Sequence, residues 1–293
     1  MSELARLRPE PIPEIHPLPE YRATGELGAR YADVKEVLQV PWMGVVTMAY
    51  AHYPSFFGVL WAGLRELCLS QAYVATSREL RSLVEARVAE LEPPPLAARL
   101  SAAGYGAREL DEIRAMIEIF CHGNHVYFPL ALITRLLLEG GAFGPGAAAA
   151  TPFEGRHAPA VEQPFLLMEA HHADAPTRAV YEDLKASLAL PFVNTDYRAL
   201  ARWPSYFAMA WSDLKPVVGG PAHEAICRAY HERCLELVAT LPNPAGLSAA
   251  TLREAAMADA PLYELIQCCR LFAYLIPGLT VNIAFFRHQL AAA

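Results

Sequence analysis

One long internal repeat limits the folds open to this chain. Residues 31–64 read YADVKEVLQVPWMGVVTMAYAHYPSFFGVLWAGL, and residues 181–214 read YEDLKASLALPFVNTDYRALARWPSYFAMAWSDL. At an offset of 150 without gaps, 12 of 34 positions are identical: Tyr31/Tyr181, Asp33/Asp183, Lys35/Lys185, Leu38/Leu188, Pro41/Pro191, Ala49/Ala199, Ala51/Ala201, Pro54/Pro204, Ser55/Ser205, Phe57/Phe207, Trp61/Trp211 and Leu64/Leu214. Chance would leave about two or three, and the period lies far beyond the roughly 20–50 residues of solenoid repeats. The repeat predicts two copies of one unit, packed about a pseudo-twofold axis.

Each copy reads as helix. Glu26–Gln39 places Leu27, Tyr31, Val34, Val37 and Leu38 on one helical stripe, and Pro41 ends it. Pro54 and Pro204 suit the first turn of the next helix. Arg78–Leu91 continues in helical period until the prolines at 93–95, and Ser101 begins a linker. Ala107–His122 and Val126–Glu139 follow as two helices, with Gly123-Asn124 as a break or a turn between them and Gly140-Gly141 as the end. No window shows sustained strand alternation. The expected fold is all-α, with two homologous helical repeats packed as a pseudo-dimer around a central active-site cleft. Its segments are an extended arm over 1–20, repeat one over 21–139, a linker over 140–165 and repeat two over 166–293.

Composition excludes several roles. Hydrophobic residues make up 54% of the 293, which rules out a disordered chain. The net charge is −7 and no Lys/Arg run occurs, so no nucleic-acid partner is expected. Residues 41–64 carry no Asp, Glu, Lys or Arg and imitate a membrane span. Pro54 interrupts them, and the second copy is charged at the equivalent places, so no membrane partner is expected either. The N-terminus lacks the apolar segment of a signal peptide, and the six cysteines form no Cys-x-x-Cys pair. Reduced thiols and a cytoplasmic location are the expectation. His122, His125, His171 and His172 do not make a metal-ligand pattern, so no metal is assigned.

Chemistry is expected where the copies differ. After the shared proline, copy one reads WMGVVT and copy two FVNTDY. Trp42 thus faces Phe192, Gly44 faces Asn194, Val45 faces Thr195 and Val46 faces Asp196. A carboxylate replaces a valine. In an apolar lining its pKa would rise toward that of a useful base. On the residues alone, Asn194-Thr195-Asp196 is more simply a helix N-cap, and Thr195 can cap even if Asp196 works chemically. A second difference sets Asn124 opposite Phe272 when Pro129 is aligned with Pro277.

On these residues the chain resembles the group I 2-haloacid dehalogenases, the DehI-type family. The resemblance covers roughly residues 20–290. It is carried by the duplicated unit, LQVPW (38–42), FCHGNHVYF (120–128) and, most specifically, NTDYRALARWP (194–204). It implies an all-α pseudo-dimer that uses no metal or organic cofactor. It also implies that Asp196 activates a water that attacks Cα of a small 2-haloacid directly, with inversion, and that Asn124 helps hold this water. Trp42, Val45 and Tyr127 match pocket positions, and backbone amides around Thr195 would hold the substrate carboxylate. Asn194 matches the position that is asparagine in D-specific members and alanine in members taking both enantiomers. D-specificity is therefore expected, with a DL-enzyme as the alternative.

The residues leave other readings open. Asp196 could attack directly and form an ester. A non-catalytic binder of small acids is the rival from another class, although such a binder would want a cation for the acid. A peroxidase-like enzyme would need redox cysteines, for which Cys268-Cys269 is a poor substitute. Glu66, among Leu60, Trp61 and Leu64, is a weak further candidate. A homodimer is an option the sequence does not decide.

Overall fold

The computed structural model describes residues 4–146, 148–160 and 164–291. Among these residues the structure is helical, with no strand and a single isolated bridge between Ser70 and Pro152. After a 3-10 turn at Glu20–Arg22 come α1 Gly25–Leu38, α2 Val45–Tyr50, α3 Pro54–Cys68, α4 Gln71–Ala89, α5 Ala97–Ala102 and α6 Ala107–Leu138. The second series is α7 Ala175–Leu188, α8 Thr195–Leu200, α9 Pro204–Leu214, α10 Pro221–Val238, α11 Ala249–Asp259 and α12 Leu262–Gln289. The all-α expectation holds, and the two series match helix for helix.

Several of the identities between the copies are structural pins. Tyr31 Oη donates to the Leu18 carbonyl at 2.8 Å, and Tyr181 Oη to the Met168 carbonyl at 2.6 Å. Trp61 Nε1 donates to Asp33 at 2.6 Å, and Trp211 Nε1 to Asp183 at 2.7 Å. A cation completes each pair, Arg65 on Asp33 and Lys215 on Asp183. Pro54 and Pro204 both occupy the first turn of their helices, where a missing N–H costs nothing. Tyr, Asp and Trp therefore recur because each copy needs the same internal bonds.

Two boundaries differ from expectation. Ser101 lies inside α5 rather than in a linker. Gly123-Asn124 neither breaks nor turns the chain, because α6 runs unbroken for 32 residues through both and through Pro129. A proline inside a helix costs about 3 kcal/mol. Val126, Phe128, Leu130, Ala131, Leu132 and Ile133 are at most 1% exposed on this stretch. Each large side chain among them gains about 1.5–3 kcal/mol by burial, so packing outweighs the local penalty.

The chain forms two compact units, and each draws on both copies. Unit 1 comprises Met1–Arg81, Gly123–Ala158 and Arg228–Pro277; unit 2 comprises Ser82–His122, Pro159–Cys227 and Gly278–Ala293. Each unit thus combines the beginning and end of one copy with the middle of the other. In unit 1, α3 buries Phe56, Phe57, Leu60, Trp61 and Leu64 and packs on α11, α1 and α2. In unit 2, α9 packs on α7 and α8 and buries Tyr206, Phe207, Ala210 and Trp211. Helix α12 is long and apolar enough to cross a membrane, but 83% of its apolar window is buried within the protein. All six cysteines are buried thiols.

Candidate active site

Four candidate residues belong to unit 1. Trp42 lies in the turn before α2 and Val45 is the first residue of α2, while Asn124 and Tyr127 lie three apart on α6 and share one helix face. Trp42, Asn124 and Tyr127 are buried; Val45 is partly exposed. Tyr127 ties this group together. Its hydroxyl accepts the Gly44 N–H at 2.9 Å and donates to the Trp42 carbonyl at 2.8 Å. Its ring meets the Trp42 indole edge-on, with centroids 5.9 Å apart. Burial holds the Tyr127 pKa well above its ordinary value, so it remains a neutral phenol that can both accept and donate.

Two glycines make this contact possible. A Cβ on Gly123 would lie 2.1 Å from the Trp42 ring, and a Cβ on Gly44 would lie 2.9 Å from the Tyr127 ring. Gly123 is therefore a seat for Trp42 on a continuous helix. The Met43 N–H is held by Glu20 at 2.8 Å, and Lys35 pairs with the same carboxylate. The turn carrying Trp42 is thus fixed from both sides. Sequence reasoning missed Glu20 and the packing roles of Gly44 and Gly123.

Three candidates begin α8 in unit 2, and all three are buried. Asn194 occupies the N-cap position, but its side chain makes no capping bond. The simple capping explanation of this tripeptide therefore fails. Thr195 Oγ1 accepts from Arg198 at 3.3 Å, and Arg198 is ion-paired with Glu169 at 2.6 Å. Asp196 is 3% exposed and is the acid of the first turn, where the helix dipole favours negative charge. Its neighbour Tyr197 is fully buried and accepts a hydrogen bond from Asn282.

The remaining candidates are placed elsewhere. Glu66 is exposed on α3 and faces solvent. His171 and His172 are exposed, and His125 bonds Tyr230 at 3.0 Å through Nδ1. Among the described residues, His223, Glu224 and Cys227 are the grouping whose metal-capable atoms lie within 4.8 Å of one another. A cleft lined by Gln71, Arg78, Thr151 and Phe153 includes none of the candidate residues.

Unit 1 thus offers a buried amide, Asn124, and a fixed pair of aromatic side chains, and unit 2 offers a buried carboxylate, Asp196. A carboxylate is a residue type that can take a proton from water.

No family model matches the chain. It is 46% identical over 250 residues to an (R)-2-haloacid dehalogenase of Rhizobium sp. (strain NHG3), covering 84% of this chain and 96% of that protein. It is 36% identical over 290 residues to an (R)-2-haloacid dehalogenase of Pseudomonas putida, covering 96% and 95% respectively. Its fold matches the solved complex of a D-2-haloacid dehalogenase with L-LA at a TM-score of 0.90 and 33% identity, over 97% of this chain and 99% of that one. The chain belongs to the family of (R)-2-haloacid dehalogenases.

Proposed function

We propose that the chain hydrolyses short D-2-haloacids to 2-hydroxyacids, and that it does so as a group I, DehI-type enzyme whose two copies form a pseudo-dimer. The observation that carries this reading is the buried carboxylate of Asp196, standing where copy one has Val46, in a chain of this family.

Asp196 takes a proton from a water that Asn124 helps to hold. The water oxygen attacks Cα from the side opposite the halide. The C–O bond forms as the C–halogen bond breaks, the halide leaves with the bonding electrons, and the configuration inverts. In-line geometry is what such a displacement requires. Trp42, Val45 and Tyr127 form apolar and aromatic walls, and backbone amides around Thr195 receive the substrate carboxylate. Asn194 fills the space that an L-substrate needs. Its side chain does not cap α8, so capping does not account for an amide at this position. The substrate and water are the only partners this chemistry requires, in a cytoplasmic enzyme.

A single turnover in ¹⁸O-labelled water tests the mechanism. The label is expected in the hydroxyacid and absent from Asp196; label in Asp196 would establish the ester route instead. Chloride release from D- but not L-2-chloropropionate is expected. Equal release from both would make this a DL-enzyme, and release from no short 2-haloacid would leave a binder of small acids.

A further inference from the structure

A buried polar line ends on the residue that follows Asp196. His223 Nε2 donates to Asn282 Oδ1 at 2.8 Å, and Asn282 Nδ2 donates to Tyr197 Oη at 2.8 Å. The three residues come from α10, α12 and α8, all within unit 2, and none is more than 2% exposed. With the amide in this orientation His223 carries a proton on Nε2. Its Nδ1 lies 3.7 Å from Cys227 Sγ and 3.8 Å from Glu224.

The equivalent positions of copy one do not repeat this line. At the offset of 150, Tyr197 corresponds to Thr47 and His223 to Tyr73; in the Pro129/Pro277 register, Asn282 corresponds to Thr134. Those three hydroxyls each bond a backbone carbonyl, of Gly44, Val126 and Leu130 respectively. Burying polar groups is costly unless they are paired, and apolar residues of similar shape would serve packing as well. The line is thus an expense confined to the copy that carries the carboxylate.

Helix α8 needs such a hold. It has six residues, far too few to be stable alone, and its N-cap side chain does not cap it. Arg198 anchors it through Glu169, and the Arg198 carbonyl accepts the Met168 N–H at 2.9 Å. Copy one has the equivalent backbone bond, from Leu18 to Met48. Helix α2 is held instead at its start, where the Tyr127 phenol bonds Gly44 and Trp42; in α8 the phenol is the helix's own, Tyr197.

We propose that His223 and Asn282 are positioning residues, which fix the Tyr197 phenol and through it the orientation of Asp196. This rests on the reading of Asp196 as the base. The test is steady-state turnover of D-2-chloropropionate, with rates normalised to folded enzyme. Tyr197→Phe and His223→Leu are each expected to lower kcat about tenfold with KM within about twofold, because a misplaced base weakens the transition state and not substrate binding. The double variant is expected to be no worse than either single one, since both cut the same line. His223→Gln, which keeps an N–H donor toward Asn282, is expected to recover kcat to within about twofold of the parent. A folded Tyr197→Phe enzyme with unchanged kcat would overturn the proposal, and so would a His223→Gln enzyme as slow as His223→Leu. If His223→Leu does not fold, Tyr197→Phe decides alone, since it removes one oxygen. Asp196→Asn keeps the two questions apart: full activity there would sink the base reading, whereas the Tyr197 result bears on positioning alone.

Discussion

Residues 41–51 and 191–201 begin and end alike and differ between. Each has a proline, a short turn and a six-residue helix, and each leads into a helix started by proline. In the first, the turn is sealed: Tyr127 lies against Gly44 and bonds both Gly44 and Trp42. In the second, Asn194 stands in the glycine's place and the residue aligned with Tyr127 is Leu275. The backbone frame is common to both segments, and the chemistry has diverged on it. Residues identical in both copies, such as Asp33/Asp183 and Trp61/Trp211, hold the frame. On the proposed reading, residues that differ carry the activity.

This comparison can be broken most directly at its centre. Asp196→Asn is expected to cut kcat by about 100- to 10,000-fold, the usual contribution of a positioned acid–base group. Moving the acid to the other copy, with Asp196→Val and Val46→Asp together, should not restore halide release. Recovery there would show the two segments to be functionally equivalent. Gly123→Ala comes next. Its Cβ would collide with the Trp42 ring, and overpacking of this kind costs about 1–3 kcal/mol. A thermal midpoint lowered by several degrees, with a raised KM, is expected; an unchanged midpoint would mean that Trp42 has room to move.

Selectivity offers a finer distinction. Asn194→Ala should raise the ratio of kcat/KM for L- over D-2-chloropropionate by about tenfold, the scale of a small steric change in a pocket. A ratio that stays the same would remove the steric account of D-preference. The smallest effects belong to the shared frame. Arg65, helped by Trp61, holds the Asp33 carboxyl below its ordinary pKa, and Lys215, with Trp211, does the same for Asp183. Because the folded pKa is lowered, this stabilisation is present at neutral pH and fades as pH falls through the acid range. Both groups are partly exposed, so Asp33→Asn and Asp183→Asn should each cost under about 1 kcal/mol in urea titrations, and about equally. Unequal costs would show that the copies do not share one frame.

The contrast of Val46 with Asp196 was legible in the residues alone, and the proposed site takes Asp196 from it, with Asn194 and Thr195 beside it. The readings that failed were local ones. Gly123-Asn124 carries the composition of a helix break, yet its helix continues, since burial along 126–133 exceeds the penalty of a glycine and a proline. Asn194-Thr195-Asp196 carries the composition of a cap, yet Asn194 does not cap. A lone asparagine in the apolar run LIPGLTVNIAFF was a signal for Asn282 that periodicity does not interpret.

The sequence by itself determined that the chain is helical, that it is duplicated, and which copy holds the carboxylate. Those are properties of period, proline placement and residue type, which act over a few neighbouring positions. Only the tertiary structure decided what holds the candidate residues in place. Tyr127 on Gly44, Trp42 on Gly123, and the line from His223 through Asn282 to Tyr197 join residues 59 to 85 positions apart. No local pattern encodes such pairings, because they form only when separate helices bury their faces against one another.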